Sequence, residues 1–129
     1  MEEKGNLLIV DDDLYVRTII TRKMEACGYN CTAVKDGNEA LDTIKNQPFD
    51  LVLLDIKMPG PSGIDILPKI IAGHPNTGVV MITAIDDTNT VVEAMQLGAC
   101  DYITKPFCLE ELNLKITQAI EHRRDRISQ

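Results

Sequence analysis

With 129 residues and a formal net charge of −7, the chain is one acidic domain's worth of protein, long enough for a real core. Its 44% hydrophobic and 26% charged residues exclude a disordered chain, and its negative charge argues against gripping nucleic acid through phosphates. No apolar run approaches the ~20 residues needed to cross a bilayer and the N-terminus lacks a secretory pattern, so a cytoplasmic protein without membrane attachment is expected. The four cysteines, Cys27, Cys31, Cys100 and Cys108, form no CxxC pair and have no histidine cluster beside them. They read as reduced, mostly buried small residues rather than as zinc ligands or disulfides.

The first apolar run predicts a strand over 6–10 and stops at Asp11-Asp12-Asp13. Apolar residues at Val16, Ile19, Ile20, Met24 and Cys27 then draw one stripe on a helix over 14–27, which Gly28 is suited to end. A second strand near 30–34 leads to a helix over 37–46, whose start is marked by Asp36 and Glu39 at capping-box spacing. The run at 50–54 ends at Asp55. A helix over 64–73 follows, but Pro68 lies inside it and would clash with the Ile64 carbonyl, at about 3 kcal/mol in a regular helix. The expectation is therefore a helix that effectively begins near Pro68, with 61–67 irregular. The fourth run, 78–82, ends at Thr83 and precedes a helix over 88–97 closed by Gly98. The fifth, 101–104, ends at Lys105-Pro106. The last helix, over 109–124, starts after Cys108, where a Ser, Asp or Asn cap would contribute about 1 kcal/mol more. Short Val/Ile/Leu runs alternating with helical periods are the signature of βα units around a parallel sheet buried on both faces.

In such a sheet, ligands gather outside the carboxyl ends of the strands. Four of the runs end in groups that suit a metal or a phosphate: carboxylates twice, then a hydroxyl, then an ammonium. Carboxylates held close together repel, so either one keeps a proton or a cation sits between them. Hard oxygen ligands without sulfur or imidazole favour Mg²⁺, or Mn²⁺, over zinc. A divalent ion would neutralise the cluster and leave one carboxylate free as a nucleophile. Lys105 supplies a positive point charge and Thr83 a donor for phosphoryl oxygens, which completes a phosphoryl-transfer set with an aspartate acceptor. Any one of these residues could be a turn former, a cap or a solvated charge. Asp13 fits the cap reading best, but four complementary strand ends together do not.

The segments LLIVDDD, KDGNEAL, FDLVLLDIKMPGPSG, VVMITA and GACDYITKPF, in this order and spacing, resemble a response-regulator receiver domain over roughly residues 5–122. The resemblance implies a doubly wound, flavodoxin-like (βα)5 fold, with a five-stranded parallel sheet in order 2-1-3-4-5 and helices on both faces. It makes 1–122 the receiver domain and 123–129 a C-terminal tail or the start of a linker. It implies a phosphorylation-dependent switch, active only on its own phosphorylation and dephosphorylation. Asp55 would be the phosphoacceptor, served by a sensor histidine kinase or a histidine phosphotransfer protein. Asp12 would bind Mg²⁺ directly, Asp11 through the same acidic pocket or a water, with Asp55 and the backbone carbonyl of Lys57 completing the ligands. Thr83 and Lys105 would hold the phosphoryl oxygens. The Lys105-Pro106 peptide would be cis. On phosphorylation Thr83 would move inward and Tyr102 follow it, remodelling the surface of the fourth helix, fifth strand and fifth helix. That surface would meet an output domain or a target protein, or a second copy in a phosphorylation-dependent dimer. A plain amphipathic surface ring is the alternative role for Tyr102. Lys57 and Ile85 occupy positions that tune phosphoryl lifetime in the family; an apolar Ile85 and a shielding Lys57 point to slow self-dephosphorylation.

Two other readings compete. Asp11-x-Asp13 resembles the opening of haloacid-dehalogenase-type phosphatases, but Tyr15 stands where that motif wants Thr or Val. Lys105 also follows Asp86-Asp87 instead of preceding such a pair, and 129 residues leave no room for a cap domain. A receiver-like module that no longer switches is the second, yet no required residue is missing. Arg123, Arg124 and Arg126 lie in a mixed-charge tail that reads as a solvated helix end rather than a nucleic-acid arm.

Overall fold

The computed structural model describes residues 4–84 and 87–128, with residues 125–128 described by backbone only. Five strands alternate with five helices: β1 Asn6–Val10, α1 Leu14–Ala26, β2 Asn30–Val34, α2 Gly37–Asn46, β3 Leu51–Asp55, α3 Gly63–Gly73, β4 Gly78–Ala84, α4 Thr88–Gln96, β5 Asp101–Lys105 and α5 Leu109–Ser128. All four strand pairings are parallel, and the sheet order is β2-β1-β3-β4-β5. The fold is thus the parallel sheet covered on both faces that the alternation of runs predicts, in the doubly wound order that the family resemblance implies.

Alternate residues of each strand feed opposite faces. Leu8, Val10, Val52, Leu54, Val79 and Met81 pack with the inner sides of α2, α3 and α4. Leu7, Ile9, Leu51, Leu53, Val80 and Ile82 pack with α1 and α5, through Ile20, Met24, Leu112 and Ile116. β3 is completely buried, from Leu51 to Asp55. With no solvent face to keep polar, such a strand must be apolar on both sides, which is why its sequence does not alternate.

Both predicted glycine stops close Schellman motifs. Gly28, at φ 102°, donates to the Glu25 carbonyl while Tyr29 N–H reaches Met24 O; Gly98, at φ 112°, and Ala99 repeat the pattern on Met95 and Ala94. The Asp36 cap forms, accepting from Glu39 N–H at 2.9 Å, but the Glu39 carboxylate returns to Lys35 N–H rather than to Asp36. Cys108 serves as the cap of α5 only through its backbone, with its carbonyl accepting from Leu112 N–H at 3.1 Å.

Three expectations need correction. First, α3 does not start at Pro68; it is helical from Gly63, with Pro68 on its exposed side. A full capping box between Ser62 and Asp65 holds its first turn, and Gly63 N–H donates to Ile56 O at 2.9 Å. These bonds, with Ile66, Leu67 and Ile70 buried in the core, outweigh the one bond the proline forgoes. Second, Asp55 and Lys105 do not follow their strands but end them, and Thr83 lies within β4, while Asp11 does follow β1. Asp55 pairs with Ile82, Thr83 with Thr104 and Ala84 with Lys105, so β3, β4 and β5 each run further than the apolar letters alone. Third, the cysteines are free but not mostly buried: Cys100 and Cys108 are exposed, Cys27 and Cys31 half-buried. Burial, reinforced by Glu25, pushes the Cys31 thiol up to about 12, which makes it inert.

Candidate functional site

Three polar residues are buried among the described residues, Asp11, Asp55 and Thr83, and all three sit at the carboxyl edge of neighbouring strands β1, β3 and β4. That edge includes the point between β1 and β3 where the strand order reverses, the place where doubly wound sheets bind ligands.

Asp11 follows β1 directly, its N–H held by Val34 O at 3.2 Å. Its Oδ1 accepts from Asp13 N–H at 2.9 Å, and its carbonyl accepts from Arg17 Nη1 at 2.8 Å. Its other oxygen, Oδ2, is buried, and its polar partner among the described residues is Lys105 Nζ, in an ion pair at 3.0 Å. Asp12 is exposed, while Asp13 caps α1, its carboxylate accepting from Tyr15 N–H at 2.8 Å and Val16 N–H at 3.4 Å. Asp13 thus belongs to the helix and not to the acidic cluster, as its position before Leu14 implies.

Asp55 ends β3 with 5% of its surface exposed, and Lys105 Nζ lies 3.4 Å from its Oδ2. Oxygens of Asp11, Asp12 and Asp55 lie within 4.8 Å of one another. Burial first, then the Asp11 charge, pushes the Asp55 carboxyl up to about 6; Lys105 pulls the other way, and Asp12 adds a smaller push upward. Lys105 is itself raised, because its bonds and attraction to Asp11 and Asp55 outweigh the burial that lowers it. One ammonium therefore serves two carboxylates, and the pocket stays electron-rich. An all-oxygen cluster in which two buried carboxylates share a single ammonium fits a hard divalent cation.

Thr83 is 1% exposed, and its hydroxyl makes only a long 3.4 Å bond to the Ala84 carbonyl, so it is weakly committed where it stands. Lys57 points to solvent. Tyr102 is not brought into the site: it is 38% exposed, with Lys115 Nζ 5.3 Å from its ring centre. Between it and α4 is a cavity of about 120 Å³ lined by Ala84, Asp87, Thr88, Val91, Tyr102 and Thr104. The Lys105-Pro106 peptide is cis, as expected. Ile85 lies outside the described residues.

Two site residues carried no signal as such in the sequence. Arg17 looks like any polar residue on the outer face of α1, yet it ties that helix to the Asp11 carbonyl. Gly63 packs so closely that a Cβ there would sit 2.3 Å from the Asp55 carbonyl oxygen, so only glycine lets α3 start against the end of β3. The glycine of the PSG segment was the available hint.

A parallel 2-1-3-4-5 sheet with an acidic pair after β1, a buried aspartate ending β3, a threonine near the end of β4 and a lysine-cis-proline at the end of β5 defines a receiver domain. The chain belongs to this family: the model of the response regulator receiver domain matches residues 7–117. The DNA-binding transcriptional regulator NtrC of Klebsiella pneumoniae is 37% identical over 124 residues, covering 96% of this chain and 26% of the relative. The transcriptional regulatory protein YkoG of Bacillus subtilis, itself uncharacterised, is 37% identical over 118 residues, 92% of this chain and 52% of the relative. Among solved structures, NtrX from Brucella abortus superposes with a TM-score of 0.93 at 31% identity, over 99% of this chain and 29% of that one. A CheY-like receiver domain protein from Methanospirillum hungatei gives 0.91 at 28% identity over 98% and 99%. The chain thus spans about a quarter of NtrC and NtrX, and essentially all of the CheY-like protein. Among the described residues no helix is long and apolar enough to cross a membrane.

Proposed function

We propose that this receiver domain is switched by phosphorylation of Asp55. The observation that carries the reading is the placement of a buried carboxylate at the end of β3, between an acidic pair and an ammonium 3.4 Å away. The phosphodonor is a phosphohistidine, on a sensor histidine kinase or a histidine phosphotransfer protein. An Asp55 oxygen attacks phosphorus, the new O–P bond replaces the histidine N–P bond, and the released imidazole takes up a proton from solvent. The ionised form of Asp55 is the nucleophile, so its elevated pKa makes transfer fall away in acid. Lys105, already oriented by two carboxylates, neutralises an incoming phosphoryl oxygen, and the Thr83 hydroxyl, free of any strong bond, turns to another. Asp11, Asp12 and Asp55, with the Lys57 carbonyl that the family resemblance adds, would hold Mg²⁺ or Mn²⁺, which when bound offsets the repulsion between the acids and the phosphoryl group.

Phosphorylation adds close to two negative charges beside Thr83. Drawing that side chain inward opens room towards the cavity that adjoins Tyr102, and the ring can follow. The exposed apolar residues Val92, Met95, Leu97, Tyr102 and Leu114, on or near α4, β5 and α5, form the surface read by an output domain, a target or a second copy. On this reading the chemistry is confined to its own aspartate, which is phosphorylated and dephosphorylated in place. Slow self-dephosphorylation is part of the proposal, because the exposed Lys57 can shield the phosphoryl group.

The test is incubation with acetyl phosphate and Mg²⁺, followed by mass spectrometry and phosphate-loss kinetics. One acid-labile phosphoryl group on Asp55, lost in Asp55→Asn and lasting minutes or longer, is the expected result. Labelling that survives Asp55→Asn but vanishes in Asp11→Asn would mean a phosphatase-type centre, and no labelling at all would mean an interaction module without a switch. A lifetime of seconds would remove the slow-hydrolysis part alone.

A further inference from the structure

At the opposite end of β3 from Asp55 lies a second polar cluster that the phosphorylation chemistry does not use. Asp50 immediately precedes β3, and its Oδ2 accepts from Asn6 N–H at 2.7 Å, at the start of β1. Its Oδ1 pairs with Arg123 Nη2 from α5. The other arm of the same guanidinium donates to the Asn76 carbonyl, in the α3–β4 connection, at 2.9 Å. Arg124 bonds the Lys4 carbonyl, and Lys4 N–H in turn donates to Gly28 O at 2.9 Å. Two adjacent arginines thus bind α5 to both central strands and to the loop between α3 and β4.

This arrangement is built, not incidental. The Arg123 side chain is 16% exposed, and its Nε is buried without a partner, a cost that a surface arginine would avoid by pointing outward. The floor is fitted to Asp50 as well: a Cβ at Gly5 would lie 2.9 Å from the Asp50 Oδ2. Cavities of about 400 and 370 Å³ flank the guanidinium on either side, both bounded by Pro75, Asn76, Thr77 and Arg123. Apolar packing is therefore thin there. Among the described side chains of α5, which end at Arg124, the last buried apolar one is Ile120. Beyond Ile120, the polar contacts of Arg123 and Arg124 take over from the core.

We infer that Arg123 and Asp50 form a latch that pins the lower end of α5 to β1 and β3, at the end of the sheet remote from the phosphoacceptor. The latch sets the direction in which the helix leaves the domain. It also restricts movement of α5 to the upper turns, next to β5. It is a positioning pair with no part in the chemistry, and it does not depend on whether Asp55 is phosphorylated.

Hydrogen exchange on the full chain tests the inference without relying on the phosphorylation reading. In Arg123→Met, which keeps length and loses the charged fork, amides 120–124 should exchange about tenfold faster, the factor that corresponds to about 1.4 kcal/mol. Amides of Leu8, Val52 and Ile20 should keep their protection. Asp50→Asn, which can still accept from Asn6 and leaves the Arg123–Asn76 bond in place, should give the same pattern to a smaller extent, and the double variant should add nothing to Arg123→Met because the Asp50 pair is already broken there. Arg123→Lys should recover part of the protection. Unchanged exchange at 120–124 in Arg123→Met would overturn the latch. So would an equal acceleration of all core amides, which would reveal ordinary loss of stability, or additive effects in the double variant.

Discussion

Replacing Asp55 by Asn should stabilise the metal-free protein, and the gain should depend on pH. Asp55 is 95% buried and shares one ammonium with Asp11, and its carboxyl is pushed from an ordinary 3.8 up to about 6. Between those values the native state binds more protons than the unfolded chain. The stability this provides is complete below pH 3.8 and is lost as pH rises through about 6. The interval is roughly two pH units, which at 1.36 kcal/mol each is about 3 kcal/mol of penalty at pH 8. Asparagine carries no charge to bury, so Asp55→Asn should recover about 2–3 kcal/mol at pH 8 and almost none near pH 4. With an m-value of about 1–3 kcal/mol per molar urea, the midpoint at pH 8 moves up by about 1 M or more. The assay is urea unfolding in chelator from pH 4 to 8. Mg²⁺ at a hundredfold excess over its dissociation constant should add about 2.7 kcal/mol to the wild type and less to the variant. Midpoints that track each other at every pH in chelator would refute the electrostatic account of the site.

Other substitutions probe the frame that holds the pocket. Gly63→Ala forces a methyl onto the Asp55 carbonyl oxygen, a backbone atom with nowhere to go. It should cost about 1–3 kcal/mol in thermal or urea unfolding and slow phosphorylation by acetyl phosphate, with α3 and the end of β3 no longer able to close together. Pro68→Ala restores an N–H to the exposed side of α3 and should stabilise the chain by up to about 3 kcal/mol, read from the urea midpoint. A loss of stability there would mean that α3 depends on a kink.

The sequence by itself determined the sheet, its alternation with helices and the identity of the residues at the strand ends. Runs such as Leu51–Leu54 are apolar on both sides because helices cover both faces, and that pattern survives in one dimension. Caps are equally legible, since Gly28, Gly98 and Asp36 act on neighbours within a few residues. What a local reading could not decide was any competition between a local cost and a distant gain. Pro68 argued for a late start to α3, but the Ser62–Asp65 box, the Ile56 carbonyl and three buried apolar side chains start it at Gly63. Apolar letters likewise ended β4 at Ile82, yet pairing with β5 carries it to Ala84 and makes Thr83 part of the sheet. Asp11 and Asp12 are adjacent in sequence and look alike, but the fold buries one and exposes the other. The elevated pKa of Asp55 has the same origin: it is produced by burial and by the charge of Asp11, 44 residues away in sequence, against the opposing pull of Lys105, 50 residues away. The Asp50–Arg123 pair, 73 residues apart, was invisible until α5 was laid back along the sheet. Charge and hydropathy along the chain name the participants; only the packed structure decides which of them share a dielectric environment, because that depends on distances no linear spacing encodes.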